Sequence, residues 1–390
     1  MTKKKIIVMT GGGSGGHLTP VISVAEQLKK VAPDYMLVYI GQTGDGLGDI
    51  MSKSGLFNAV HTVRAGKFRR YHGEGLKQLL DVKTLALNLR DSFFVCIGFV
   101  QSFRLLRHMR PSVLFCKGGF VGVPVAFAAR FLRIPYVTHD SDAIPGLANR
   151  LIARGATIHA VALPKEMYNY PFDKTVSVGV PIATKFKHVT EQATSKAKES
   201  LHIPHKAQTL LIIGGGLGAE RINKVIMADV KKLLDISNLY VFHVVGRSNE
   251  EAANAFYDTE LSQIDRKRVV VYGFTDRVAL LGEAADVVIT RAGATNLAEF
   301  SAQGKACIIV PNPVLTGGHQ LKNAQAYREK QAAIVVSEDH IDELINVAVM
   351  LLNNKEKREQ LSKNISQFAT KDSASLLAGI LLAAAEKSQK

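Results

Sequence analysis

The sequence predicts an α/β protein of two domains, each a parallel sheet covered by helices, and three observations lead there. Short β-branched runs alternate with amphipathic stretches along the whole chain, the pattern of repeated strand-helix units. The first apolar run of each half enters a glycine-rich turn, Gly11-Gly12-Gly13-Ser14-Gly15-Gly16-His17 and Gly214-Gly215-Gly216-Leu217-Gly218-Ala219. A length of 390 residues also exceeds what one ordinary core accommodates.

Strands are expected at 6–10, 36–40, 113–116, 136–139 and 158–160 in the first half. In the second half they are expected at 209–213, 239–245, 269–272, 286–290, 307–310 and 333–336. Helices should follow the two glycine turns, over 20–31 and 221–234. Residues 183–208 are polar and lysine-rich and end in the breaker Ile203-Pro204-His205, which marks the junction. The expected domains are 1–185 and 186–390, the last helix being able to pack back on the first domain.

Hydrophobic residues make up 47% and charged residues 21%, a balance that excludes a disordered chain. Cys96, Cys116 and Cys307 are scattered and odd in number, as in a reduced cytoplasmic protein, and have no metal-ligand spacing. The uncharged apolar runs 93–100 and 376–385 fall short of the ~20 residues of a membrane-spanning helix. Lys3, Lys4 and Lys5 lead into too short an apolar run for a signal peptide. Residues 1–185 hold 24 Lys+Arg and 11 Asp+Glu, a net +13, leaving 25 against 23, a net +2, for the remainder. The positive field of the first half selects for phosphate-bearing substrates, anionic lipid or nucleic acid.

Gly11, Gly13 and Gly16 fit the dinucleotide pattern G-x-G-x-x-G, and Gly214, Gly216 and Ala219 fit its alanine variant. Neither second strand ends in the acid that would hold a ribose, since they run into Gly41-Gln42-Thr43 and Gly246-Arg247. No glycine loop is followed by Lys-Ser or Lys-Thr, which excludes a P-loop. A better phosphate site is Thr290-Arg291-Ala292-Gly293-Ala294-Thr295-Asn296-Leu297-Ala298-Glu299, where a strand runs into a helix. Free N–H groups at that helix start suit a diphosphate, and Glu299, one to two turns inside, suits the two hydroxyls of a ribose. The loop Pro311 to Pro313, followed by Thr316-Gly317-Gly318-His319-Gln320, adds polar groups at another helix start.

With Lys117-Gly118-Gly119-Phe120-Val121-Gly122-Val123-Pro124 and the segment from His139 to Asn149, these motifs resemble the MurG-type N-acetylglucosaminyltransferases, in that family's order from about residue 6 to residue 345. The resemblance implies the GT-B fold, two Rossmann-like domains with parallel sheets facing an interdomain cleft. It also implies a UDP-N-acetylglucosamine donor, an undecaprenyl-diphosphate-linked muramyl-pentapeptide acceptor (lipid I to lipid II in peptidoglycan synthesis), inversion at the anomeric carbon, and neither metal nor cofactor. By the same resemblance Ser14, Gly15, Gly16 and His17 meet acceptor and sugar, while Gly13, Gly118, Gly119 and Phe120 hold the acceptor diphosphate. Glu299 holds the ribose, Arg291 and Gly293 to Ala298 face the donor diphosphate, Phe274 and Thr275 flank the uracil, and His319 and Gln320 meet the donor sugar. The sequence departs from the family at Asp142, Ala183, Gly216 and His319, so a related UDP-sugar or another lipid acceptor is the alternative.

Inverting transfer needs a base for the acceptor hydroxyl and a positive partner for the departing diphosphate. His17 is the first candidate base because an imidazole ordinarily titrates near neutrality, and Asp140 is the alternative. The Asp140-Ser141-Asp142 pattern lies away from the expected diphosphate site, so helix N-termini take the place of a metal. Residues 64–110 interleave Lys67, Arg69, Arg70 and Lys77 with Phe68, Phe93 and Phe94, as an element on an anionic membrane surface would. That places the protein peripherally on the cytoplasmic face of the plasma membrane. An RNA-binding module is the reading from another class, but the aromatic RNP strands and GxxG clamp of common RNA modules are missing, so no nucleic-acid partner is expected.

Overall fold

A computed structural model describes residues 5–12, 15–67, 82–215, 219–314 and 318–387. Gly13, Ser14, Phe68, Arg69, Arg70, Lys77 and Gly216 lie outside the described residues.

The chain forms two units, one reaching Ala183, taking in Val314–His319 and regained from Thr370 onward, the other made of Thr184–Pro313 and Gln320–Ala369. In the first unit the strands are β1 (Ile6–Thr10), β2 (Met36–Gln42), β3 (Ala59–Val63), β4 (Val113–Cys116), β5 (Tyr136–Asp140), β6 (Ile158–Val161) and β7 (Thr175–Ser177). They make a 7-stranded parallel sheet in the order β3-β2-β1-β4-β5-β6-β7. The second unit carries β8 (Gln208–Ile213), β9 (Leu239–Val244), β10 (Val269–Tyr272), β11 (Val287–Thr290), β12 (Ala306–Ile309) and β13 (Ile334–Val335). These form a 6-stranded parallel sheet, β10-β9-β8-β11-β12-β13.

Both sheets are covered on both faces, so their central strands read as unbroken apolar runs. In β1, Ile7 and Met9 enter one core cluster while Ile6 and Val8 enter another. In β8, Leu210 and Ile212 divide from Leu211 and Ile213 in the same way. Two edge strands escaped the sequence reading: β3, half-exposed and mixed in polarity, and the three-residue β7. The first helix, Gly15–Val31, begins ahead of the expected position 20 and keeps Pro20 inside it. Burial of Leu18, Val21, Val24, Ala25 and Leu28 outweighs the one backbone hydrogen bond a proline forfeits, and His17 falls in the helix's first turn. The expected helix 221–234 is instead two, Glu220–Ala228 and Val230–Leu234, broken where Asp229 leaves helical dihedrals.

Among the described residues one stretch, Lys355–Lys387, has the length and hydropathy of a membrane span. It is two helices, Lys355–Ile365 and Ser373–Lys387, separated by a 3-10 turn at Ser366–Phe368 and by Asp372 at φ 60°. The last helix, 15 residues long, reaches only about 22 Å against a bilayer core of about 30 Å. Its Leu377, Ala378, Leu381, Ala384 and Ala385 are buried in the core cluster of Ile7, Met9 and Val21.

Each sheet has one point at which strand order reverses, between β1 and β4 in the first and between β8 and β11 in the second. Crevices for ligands open at the carboxyl ends of strands at such points. The four loops leaving β1, β4, β8 and β11 are Gly11-Gly12, Lys117-Gly118-Gly119, Gly214-Gly215 and Arg291-Ala292-Gly293, so each crevice is bordered by two glycine-bearing loops.

Candidate functional site

In the first unit the two glycine loops pack against each other. Gly118 and Gly119 have φ of 102° and 79°, and a Cβ on Gly119 would collide with the Gly12 carbonyl oxygen. A Cβ on Gly11 would stand 2.9 Å from Cβ of Lys117. Only glycine allows this closeness, which turns backbone amides toward the space beyond the strands. Phe120 sits half-buried in the turn after them.

His17 does not titrate near neutrality as the sequence reading expected. Burial, with the Lys117 charge adding to it, pushes the imidazole down to about 3, and its Nδ1 is buried without a partner. The ring is therefore neutral and able to accept a proton, although a weak base. Asp140 ends β5, where burial raises its carboxyl. One oxygen accepts from Asn149 Nδ2 at 2.8 Å and the other from the Tyr170 hydroxyl at 2.9 Å. With both oxygens engaged, Asp140 is held in place rather than free to take a proton. Tyr170 stacks on His159 at 4.1 Å, and the Tyr168 hydroxyl donates to the Asp142 carbonyl at 3.0 Å. Buried polar atoms without partners gather around these loops: His17 Nδ1, Asp45 Oδ2, His139 Nδ1, Ser141 Oγ and Asn149 Oδ1. Folded proteins rarely leave such atoms unsatisfied, which makes these loops the candidate ligand site of the first unit.

In the second unit Gly293 leads in extended conformation into the helix Ala294–Gln303, which has no side-chain cap. The first-turn N–H groups, from Ala294 to Asn296, have no acceptor within the helix and carry its partial positive charge. Gly215, at φ 93°, brings the β8 loop beside Asn296. Glu299 is 8% exposed and hydrogen-bonds to no described residue, and burial pushes it up to about 8 in spite of the Lys185 charge. Phe274 is 57% exposed with the Arg247 guanidinium 4.5 Å from its ring centre, a ledge for a planar group. Beside it Thr275 Oγ1 accepts from the Arg277 N–H at 3.1 Å. Gln320 Oε1 accepts from the Asn312 N–H at 2.9 Å, and His319 opens the same helix, His319–Glu329.

Two expected donor residues have other work. Leu297 is 1% exposed and belongs to the core with Ile213 and Phe300, so only its backbone borders the helix start. Arg291 commits its guanidinium to Glu338 at 2.5 Å, and Glu338 also pairs with Arg221 at 2.6 Å. Arg291 thereby fixes the loop ahead of Gly293, and its charge is spent inside the protein. Ala294, Thr295 and Ala298 lie half-buried along the helix. The sequence reading missed Glu338, which nothing local marks out, and it quoted Lys117 and Asn149 within motifs without giving them a part.

Two parallel-sheet domains, each with two glycine-bearing loops at its switch point and one with a buried carboxyl beside an uncapped helix start, have the GT-B architecture that glycosyltransferases use. The glycosyltransferase family 28 N-terminal domain matches residues 7–161 and the family 28 C-terminal domain matches residues 209–377. The UDP-N-acetylglucosamine--N-acetylmuramyl-(pentapeptide) pyrophosphoryl-undecaprenol N-acetylglucosamine transferase of Flavobacterium psychrophilum is 31% identical over 363 residues, 93% of each chain. The transferase of the same name from Desulforudis audaxviator is 32% identical over 332 residues, 85% of this chain and 84% of its own. The crystal structure of Acinetobacter baumannii MurG has the same fold, with a TM-score of 0.71 over 97% of this chain and 99% of that one at 22% identity. The chain belongs to glycosyltransferase family 28, among its MurG-type N-acetylglucosaminyltransferases.

Proposed function

We propose that this protein transfers N-acetylglucosamine from UDP-N-acetylglucosamine to a muramyl-pentapeptide carried on undecaprenyl diphosphate, with inversion and without a metal ion. The acceptor hydroxyl oxygen bonds to the anomeric carbon as the bond to the UDP oxygen breaks. UDP leaves with the electron pair, and the hydroxyl proton passes to His17. The second unit holds the donor: Glu299 takes the ribose, the amides from Gly293 to Asn296 neutralise the diphosphate, Phe274 and Thr275 flank the uracil, and Gln320 meets the sugar, as does His319 of the first unit. The first unit holds the acceptor diphosphate at Gly118 and Gly119. Glu299 carries this reading, since a buried carboxylate without a protein partner, beside an uncapped helix start, suits a ribose diol next to a diphosphate. Asp140, in the one Asp-x-Asp pattern, already has both oxygens occupied by protein donors, which disfavours it as a metal ligand.

The acceptor is lipid-borne, so the enzyme works at an anionic membrane surface. Helix Val82–Met109 supports this with exposed Leu85, Leu89, Phe93 and Val100, and with Arg64 and Arg90 over the Phe94 ring. Lys67 is exposed nearby in sequence. The test is UDP release in the presence of the lipid-linked muramyl-pentapeptide, alongside thermal shifts with UDP-N-acetylglucosamine, UDP-glucose, UDP-galactose and dTDP-sugars. Turnover and the largest shift with UDP-N-acetylglucosamine, together with flotation on anionic vesicles and indifference to RNA, are expected. Turnover with a different sugar, or RNA retention without lipid binding, overturns the assignment.

Donor binding should depend on pH. Ribose hydroxyls donating to both Glu299 oxygens favour the ionised form, whereas in the free protein burial holds its value up at about 8. Binding then releases a proton, so affinity for UDP-N-acetylglucosamine is expected to rise with pH through neutrality and level off above that value. The slope is at most about tenfold per pH unit. Calorimetry in buffers of different ionisation enthalpy reads the proton directly, and Glu299→Gln should abolish its release. A wild-type affinity flat from pH 6 to 9 on the order of error removes Glu299 from the ribose.

A further inference from the structure

We propose that Lys117, buried at the carboxyl end of β4, is the cation that takes the diphosphate of the lipid-linked acceptor. This rests on the function proposed above and adds a residue to the acceptor site. Lys117 is 3% exposed, and its ammonium forms no hydrogen bond and no ion pair within 4 Å among the described residues. Its carboxylate neighbours do not supply the missing partner. Asp142 and Asp140 favour its charged form electrostatically without approaching it as ion pairs, and each Asp140 oxygen already accepts from Asn149 or Tyr170.

A lysine buried this deeply with no carboxylate paired to it directly is costly, and proteins normally remove such a charge or pair it. Here the partner is one that arrives. Lys117 is followed directly by Gly118 and Gly119, whose successive positive φ angles belong to a glycine turn of the kind whose backbone amides receive phosphate oxygens. The other glycine loop closes against it through Gly12, and His17, whose Nδ1 has no partner among the described residues, lies within electrostatic reach of Lys117. Turn and cation together match a dianionic diphosphate, whose oxygens accept from the amides while its charge meets the ammonium. Burial lowers the amine's proton affinity, so a seated diphosphate would restore it. Lys117 also depresses His17 and His139 electrostatically, and an acceptor that neutralises Lys117 relieves His17 as its hydroxyl comes into place.

The test uses the full chain with Lys117→Met, which fills the same space without charge, and Lys117→Gln as a second replacement should the first fail to fold. Calorimetric affinities for inorganic pyrophosphate, a short-chain prenyl diphosphate and UDP are compared with KM for acceptor and for donor. The expected result is a loss of at least about tenfold in prenyl diphosphate affinity and an equal rise in acceptor KM, with UDP affinity and donor KM unchanged. Thermal stability should hold or improve, because an uncompensated buried charge has gone. Unchanged prenyl diphosphate binding overturns the proposal, as does a loss of stability together with donor and acceptor KM, which marks a structural lysine. Prenyl diphosphate binding that needs Lys117, in a protein that transfers no sugar to the muramyl acceptor, would retain this site and remove the function. Pyrophosphate binding alone, without prenyl diphosphate, would assign Lys117 to free phosphate and overturn the acceptor role.

Discussion

Replacing His17 by alanine is expected to lower turnover by about 10²-fold or more, the loss typical of a missing general base. The residue stands in the first turn of Gly15–Val31, beside the paired glycine loops, with an unpartnered nitrogen. Its value near 3 lies far below its ordinary 6.5, so the proton-accepting form prevails throughout the physiological range. The defect should therefore be nearly constant from pH 6 to 9 on the order of experimental error, rather than growing at one end. The check is kcat at saturating donor and acceptor, with donor KM as the control. A nearly unchanged rate would remove His17 from proton transfer.

The second large effect is on stability. Glu338→Ala is expected to cost about 3–5 kcal/mol in the second unit, since it leaves Arg291 buried without its counter-ion. Glu338 is 5% exposed and joins Arg291, at the end of β11, to Arg221 in the helix after β8, across the second switch point. Arg221 reaches solvent and loses little, whereas Arg291 keeps only the Val310 carbonyl at 3.2 Å. Urea unfolding followed with and without UDP reads both consequences: an earlier transition, and weaker nucleotide binding as the loop before Gly293 loosens. Glu338→Gln should recover part of the loss because its amide oxygen still accepts. Wild-type stability in Glu338→Ala would show that Arg291 has another partner and would return its charge to the donor.

The buried strands were legible because a parallel sheet covered on both faces needs continuous apolar residues, as in Ile6 to Met9 and Leu210 to Ile213. Edge strands such as β3 and β7 were not, since one side of each meets solvent and their residues look like loop. The glycine turns after β1 and β8 were legible because runs of glycine follow an apolar strand, Gly118 and Gly119 entered only through the family resemblance, and Glu299 could be placed by helix spacing from Gly293. Leu297 looked equivalent to its neighbours in that motif, yet helix rotation sends its side chain to the core. No local pattern reveals that Glu338 captures Arg291, because the partners are 47 positions apart in sequence and meet only through β12 and β13.

The sequence by itself determined the two sheets, their glycine turns and the uncapped helix start, because strand burial, positive φ and helix periodicity are properties of neighbouring residues. Tertiary structure alone decided which charges remain available. Arg291 was neutralised and Asp140 enclosed, while Lys117, Glu299 and the His17 ring were left without a hydrogen bond or ion pair among the described residues. Solvation and pairing depend on what the rest of the chain brings within a few ångströms, and that is where binding chemistry is set.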